Sequence, residues 1–220
     1  MIVDIKKLKK SFSDGSKKLH VLKDINLQID KGSIVTIKGP SGSGKSTLLS
    51  IIGTLDNADS GKLIINGVSI EDNINIDKLR NKSIGFIFQF HNLISELNLY
   101  ENVSLPKMIA REQLDEEELI ELFEYFDLKN RMNSFPNDLS GGEKQRVAVM
   151  RAIINNPSII VADEPTGNLD KENALKMMSL FQKLNTEKKL TIIIATHDEH
   201  VFNIGHKKYQ LVDGSLKLVK

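Results

Sequence analysis

Two stretches of this chain have the composition to hold phosphate, and they lie about a hundred residues apart. The first is GPSGSGKST at 39–47, which fits the spacing G-x-x-x-x-G-K-[ST] from Gly39 to Ser46. In the loop Gly39, Pro40, Ser41, Gly42, Ser43, Gly44, the glycines let backbone N–H groups turn inward around phosphate oxygens. Lys45 then supplies a charge to the β- and γ-phosphates of a nucleotide. The Ser46 hydroxyl is a ligand for Mg²⁺, and Thr47 opens a helix whose N-terminus faces the phosphates. An ordinary glycine-rich turn would lack both the apolar run before it and the helical run after it.

The second stretch is LSGGEKQR, Leu139 to Arg146. Part of it reads as a capping box: Ser140 is the N-cap and Glu143 the third helical residue, each satisfying the other's free backbone donor. Val147, Met150, Arg151 and Ile154 then share one side of the helix. The cap does not explain Gly141 and Gly142, which lower helix propensity but allow a large ligand to approach the backbone. The helix start is then a second anion site, able to reach a nucleotide held by another copy of the fold.

These loops need elements to position them. SIVTIKG, SIGFIFQ, SIIVADE and TIIIATH are short apolar runs rich in Ile and Val, the pattern of strands buried on both faces. Helical patterns at Lys45–Gly53, Glu143–Ile154 and Glu172–Leu184 separate some of them, which predicts a mostly parallel α/β sheet. Ligands of such sheets sit at the carboxyl ends of the strands. There the runs carry Gln89, Asp163 with Glu164, and His197. Asp163 is expected to hold Mg²⁺ directly or through water, and Glu164 to act as general base for an attacking water. A lone Gln or His after a strand is usually a turn residue; beside a phosphate loop all of these can reach one γ-phosphate.

Turn signals at Asp14-Gly15, Asp30-Lys31-Gly32 and Asn66-Gly67 predict antiparallel strands in the first third, and Asp213-Gly214 a further turn near the end. DEEELIELFEYFDL at 115–128 puts Leu119, Leu122, Phe123 and Phe126 on one helical face, within a small helical subdomain expected at roughly 91–155. Phe90, Leu93 and Ile94 either pack inside that subdomain or form part of a docking surface. The 220 residues are read as one domain.

Lys plus Arg is 30 against 29 Asp plus Glu, so nothing in the charge favours a nucleic-acid partner. There is no cysteine, which excludes disulfides and zinc-thiolate sites. No stretch approaches the ~18 apolar residues of a membrane span, so work at a membrane requires docking on another protein rather than insertion.

In order and content these motifs resemble the ATP-binding cassette (ABC) family over essentially the whole chain. The resemblance implies a P-loop NTPase fold with an antiparallel β subdomain, and an ATPase that uses Mg²⁺. It makes 39–47 the Walker A loop, Gln89 the Q-loop residue and metal ligand, and 139–143 the signature motif. It makes 159–164 Walker B, GNLD at 167–170 the D-loop ending in Asp170, and His197 the H-loop switch. Phe12 falls where the family places an aromatic that stacks on adenine, with Phe for the usual Tyr. Two such cassettes face each other, each ATP lying between one chain's Walker A and the other's signature. That arrangement gives a single chain a use for two phosphate sites. FIFQFHNLI, ENVSLP and ADEPTGNLD resemble the LolD/MacB branch, with QFHNLI nearest its lipoprotein-release members; Glu143 in place of Gln is usual there. The branch implies four-span membrane permease partners, a place on the cytoplasmic face of the bacterial inner membrane, and force transmission in lipoprotein release or efflux. The alternative is a mechanotransmitting ATPase of the cell-division type that transports nothing. A P-loop kinase would have no use for LSGG and an H-loop. The ordinary spacing leaves no room for the coiled-coil or zinc insertions of DNA-repair cassettes, and translation-associated cassettes usually carry two copies per chain.

Overall fold

The computed structural model describes residues 1–14, 17–72 and 74–219, so the turn expected at Asp14-Gly15 reaches outside the described residues. Its strands are β1 (Val3–Asp14), β2 (Lys17–Ile29), β3 (Ile34–Lys38), β4 (Ser60–Ile65), β5 (Val68–Ser69), β6 (Ile84–Ile87), β7 (Ile159–Asp163), β8 (Thr191–Thr196), β9 (Lys207–Val212) and β10 (Ser215–Leu218). The α-helices are α1 (Lys45–Ile52), α2 (Ile76–Ser83), α3 (Leu99–Ala110), α4 (Glu116–Tyr125), α5 (Gly141–Ile153), α6 (Lys171–Lys188) and α7 (Glu199–Asn203).

The strands form two sheets. One is antiparallel in the order β2-β1-β4-β5; the other runs β10-β9-β3-β8-β7-β6 and is parallel except for β10 at its edge. The four apolar runs became β3, β8, β7 and β6, consecutive neighbours in the second sheet with β6 at its edge. At Asn66 and Gly67, φ is 52° and 78°, the two left-handed residues that a tight β4–β5 hairpin needs. Asp213 and Gly214, with φ 49° and 75°, do the same between β9 and β10.

Continuous apolar strands bury both faces because successive side chains point to opposite sides. Val35, Ile37, Val161, Ile193 and Ala195 pack with α1 and the antiparallel sheet. Ile34, Ala162, Ile160, Ile192 and Ile194 pack on the other face with α3, α4, α5 and α6. The parallel sheet is therefore a shared wall between two cores. Leu119, Phe123 and Phe126 enter the second core as the spacing predicts, and Leu122 packs partly buried against it.

Register does the positioning. Lys38 pairs with Thr196, Asp163 with Ala195 and Ile87 with Ala162. The residues that follow, Gly39, His197, Glu164 and Gln89, leave the sheet at one end within about one or two residues of each other.

Candidate nucleotide site

The loop after β3 is shaped by its glycines. Gly42 and Gly44 have φ of 77° and 101°, and a Cβ on Gly39 would collide with the Leu211 carbonyl. Gly44 is the N-cap of α1 and carries no side-chain cap, so the first N–H groups of the helix keep their donor capacity for a ligand. Lys45 is buried. Its Nζ donates to the carbonyls of Gly39 (2.7 Å) and Pro40 (3.1 Å). Pro40 and Ser41 are exposed on the loop, the Ser43 Oγ is buried without a partner, and Ser46 and Thr47 stand in the first turn of α1.

Asp163 ends β7. Burial holds its carboxyl above the usual carboxylate range; the nearby Ser46 hydroxyl opposes that shift, the Glu164 charge adds to it and Lys45 opposes it. Its Oδ1 is buried with no partner. An orphaned carboxylate oxygen beside a serine hydroxyl, with a phosphate loop adjacent, fits a divalent cation: oxygen donors and an unneutralised charge are what Mg²⁺ binds.

At Glu164 the backbone turns left-handed, φ 46°, immediately after the strand ends at Asp163. Its Oε2 lies 2.9 Å from His197 Nδ1 and accepts from the His197 backbone N–H at 3.2 Å. The imidazole is 70% exposed and the carboxylate 15%. The structure thus brings together Ser46 with Asp163, and Glu164 with His197. Gln89 is placed differently. Its carbonyl accepts from Asn168 Nδ2 (2.8 Å), and its amide nitrogen lies 2.9 Å from where a Cβ on Gly167 would be. Among the described residues no hydrogen bond joins its side chain to Ser46 or Asp163.

The start of α5 has the expected cap. Glu143 Oε2 accepts from the Ser140 backbone (2.9 Å) and hydroxyl (2.7 Å), which holds the Glu143 carboxyl below its ordinary range. Leu139, just before it, is buried. The two glycines differ. A Cβ on Gly141 would meet only the Asn168 carbonyl at 3.7 Å and Leu169 at 3.9 Å. One on Gly142 would press on Asn173 Oδ1 at 2.6 Å. Gly142 is small for internal packing and Gly141 is open to whatever approaches. Asp170 is the N-cap of α6, accepting from the Asn173 backbone at 2.8 Å and side chain at 2.9 Å, so it also orients the amide that Gly142 packs on. Among the described residues no hydrogen bond connects residues 139–143 with residues 39–47.

Contacts that the sequence did not announce tie these loops together. Arg151 donates to the carbonyls of His91 (2.7 Å) and Asn92 (2.6 Å), whose φ values are 63° and 50°. It thereby clamps a strained turn after Gln89 onto the signature helix. The sequence places Arg151 on this otherwise apolar helix side, and its charge there is the signal for a buried polar partner that the spacing alone does not identify. Half-buried His91 is held below its ordinary pKa by burial and then by Lys144, with backbone bonds at Phe90 and Gly141 opposing. Of the apolar trio after Gln89, Leu93 packs on the core while Phe90 is 73% exposed and Ile94 is also exposed. Phe12 is 44% exposed on β1. Lys10 pairs with Leu22, which touches the Cβ position of Gly44, and Phe12 lies two residues beyond, about 7 Å along the strand.

The chain matches the ABC transporter family over residues 22–167. It is 45% identical to the lipoprotein-releasing system ATP-binding protein LolD of Bacteroides thetaiotaomicron, over 98% of this chain and 99% of that one. It is 46% identical to the LolD of Porphyromonas gingivalis, with the same coverage. Its structure superposes on that of the ATP-binding cassette MJ0796, a dimer in a post-hydrolysis state with ADP and Pi, with a TM-score of 0.90 at 40% identity, covering 100% of this chain and 99% of that one. Motif order, site geometry and these similarities together place the chain in the ABC transporter family, as an ATP-hydrolysing subunit.

Proposed function

We propose that this cassette drives lipoprotein release from a membrane through four-span permease partners, working as an ATP-dependent dimer on the cytoplasmic face. The observation that carries the cargo class is full-length similarity, at 40–46% identity, to proteins named for a lipoprotein-releasing system. The proposed unit is the whole chain as one ATPase domain, with residues 91–155 as its helical subdomain.

In this reading ATP enters the loop 39–47 of one chain, with Phe12 against its base. Lys45 exchanges its loop carbonyls for β- and γ-phosphate oxygens. Ser46, Asp163 and Gln89 would hold Mg²⁺, which when bound offsets the phosphate charge. Residues 139–143 of a second chain cap the γ-phosphate, Gly141 leaving the backbone N–H groups of the helix start open to it. Glu164 takes the proton of the attacking water. His197, bound to its carboxylate by ring and backbone, orients it. Asp170 fixes the start of α6 beside the signature glycines.

The permease contact is assigned to a cavity of about 640 Å³ lined by Leu55, Phe86, Phe88, Pro106 and Ile109, next to the clamped turn at Asn92. Ile109 and Leu55 are exposed there, and Arg151 links the cavity wall to the signature helix. Co-purification with the permease subunits, followed by reconstitution into vesicles containing a lipidated substrate, tests the reading. ATP-dependent release into solution is expected, and Ile109→Glu should abolish partner binding. A partner-stimulated ATPase that releases no lipoprotein would replace this reading with the non-transporting, mechanotransmitting one.

A further inference from the structure

Lys10 is a lysine that scarcely reaches solvent, being 9% exposed. Its Nζ donates to Asp56 Oδ1 at 2.6 Å and to the Asn57 carbonyl at 2.7 Å. That hydrogen bond is the main reason the Asp56 carboxyl sits below its ordinary range. The same ammonium lies 5.1 Å from the centroid of the Phe12 ring. Asp56 and Asn57 belong to the turn after α1, the helix that carries the phosphate loop. One side chain therefore touches both the exposed ring and the far end of the phosphate-loop helix.

A half-exposed phenyl ring has rotamer freedom that a stacking ligand must remove. A cation over one face of the ring removes part of that freedom beforehand and leaves the opposite face for a planar ligand. The ion pair with Asp56 fixes the ammonium, so the offset between ring and phosphate loop is set by the fold rather than by the nucleotide.

We infer that Lys10 is a positioning residue for nucleotide binding, holding the Phe12 ring ready to stack on a planar base and tying it to the phosphate-loop helix. The inference rests on the reading of Phe12 as the base contact. A lysine that served only as a staple between β1 and the turn after α1 would behave differently towards ligands with and without a base.

The test measures dissociation constants of MgATP and of inorganic tripolyphosphate, with steady-state KM and kcat, for the full chain and for Lys10→Met, Lys10→Arg, Phe12→Ala and the Lys10→Met/Phe12→Ala double variant. Lys10→Met should weaken MgATP about 2- to 5-fold, the range of an exposed cation–π contact, with the change in KM rather than kcat. Tripolyphosphate binding should be unchanged. Lys10→Arg should restore the affinity, and Lys10→Met should add nothing in the Phe12→Ala background. Equal weakening of both ligands, or losses that multiply in the double variant, overturns the positioning role and leaves a staple. Phe12→Ala with unaltered MgATP affinity overturns the base-contact reading, and the inference with it. Should Lys10→Met fail to fold, Asp56→Asn loosens the ammonium and should raise the MgATP KM alone.

Discussion

Gly141→Asp separates what the signature glycine does within its own chain from what it does for a partner. Gly141 is the first residue of α5, its φ is not left-handed, and a Cβ there meets nothing closer than 3.7 Å. Replacing glycine by aspartate in a helix gains only about 0.3 kcal/mol of propensity, and an aspartate in the first turn adds about 0.3–1 kcal/mol through the helix dipole. The isolated variant should thus be about 1 kcal/mol more stable, a rise of roughly 2–4 °C in Tm for a chain of this size. Across a dimer the sign reverses. A carboxylate about 5 Å from the partner's γ-phosphate, at an effective dielectric of about 20, is repelled by roughly 3 kcal/mol per phosphate charge. That is about two decades in the affinity with which the dimer closes. Thermal unfolding gives the first quantity, and phosphate release as a function of protein concentration the second. Wild-type specific activity should rise with concentration until dimers saturate; the variant should stay near background. Mixing it with Lys45→Ala should restore about a quarter of wild-type activity. Half of random pairs are mixed, and a two-fold pair of this kind has both lesions in one site and the other site intact. Strong coupling between sites lowers that yield, so the rescue is the supporting arm. A Gly141→Asp protein with full activity, or a wild-type chain that is monomeric with concentration-independent activity, would refute the shared-site reasoning.

Glu164→Gln should bind MgATP while turning over about 10²–10⁴-fold more slowly, and size-exclusion chromatography should show a dimer only when MgATP is present. Arg151→Met leaves the carbonyls of the strained turn at His91 and Asn92 unsatisfied; a loss of about 1–3 kcal/mol is expected in denaturant titrations, with Arg151→Lys intermediate. Burial, then the hydrogen bond to Glu187, pushes the Tyr125 phenol up to about 12 from its ordinary 10.0. Folding therefore favours the neutral phenol. Its contribution is present below the unfolded pKa near 10 and is lost as pH rises through about 12. Denaturant midpoints measured across that window should fall for the wild type relative to Tyr125→Phe, and parallel curves would dismiss the assignment.

The parts of this fold that were legible in advance are those where one residue pattern has one physical reading. Four apolar Ile/Val runs became four strands of the parallel sheet, and chemistry at their carboxyl ends followed from what came next in the chain. α3 escaped because polar Asn102 occupies its buried face, bonded to the carbonyls of Ile94, Leu97 and Asn98, and because Pro106 interrupts the pattern. Its apolar period is broken by a side chain that stitches a loop. β1 lost its alternation to irregular pairings between Ile5 and Ser11, with Lys7 left-handed at φ 51°. Residue types at the site were legible; their couplings were not. That Asn168 would bond the Gln89 carbonyl while its own carbonyl lies beside Gly141 depends on loops meeting across 79 residues and 27 residues of chain. No local pattern encodes such meetings.

The inward fold of Lys45 bears on how the subunit repeats its cycle. An ammonium already bonded to Gly39 and Pro40 is not stranded when a nucleotide departs. If ATP enters as proposed, two carbonyl partners would be exchanged for phosphate oxygens, so the number of hydrogen bonds would be nearly conserved and the difference in charge would set the balance. Loss of the γ-phosphate would shrink that difference and favour the loop carbonyls. The loop would thus act as its own reset spring. On the proposed reading, two carbonyls of the lysine's own loop would then compete with the product for the same ammonium.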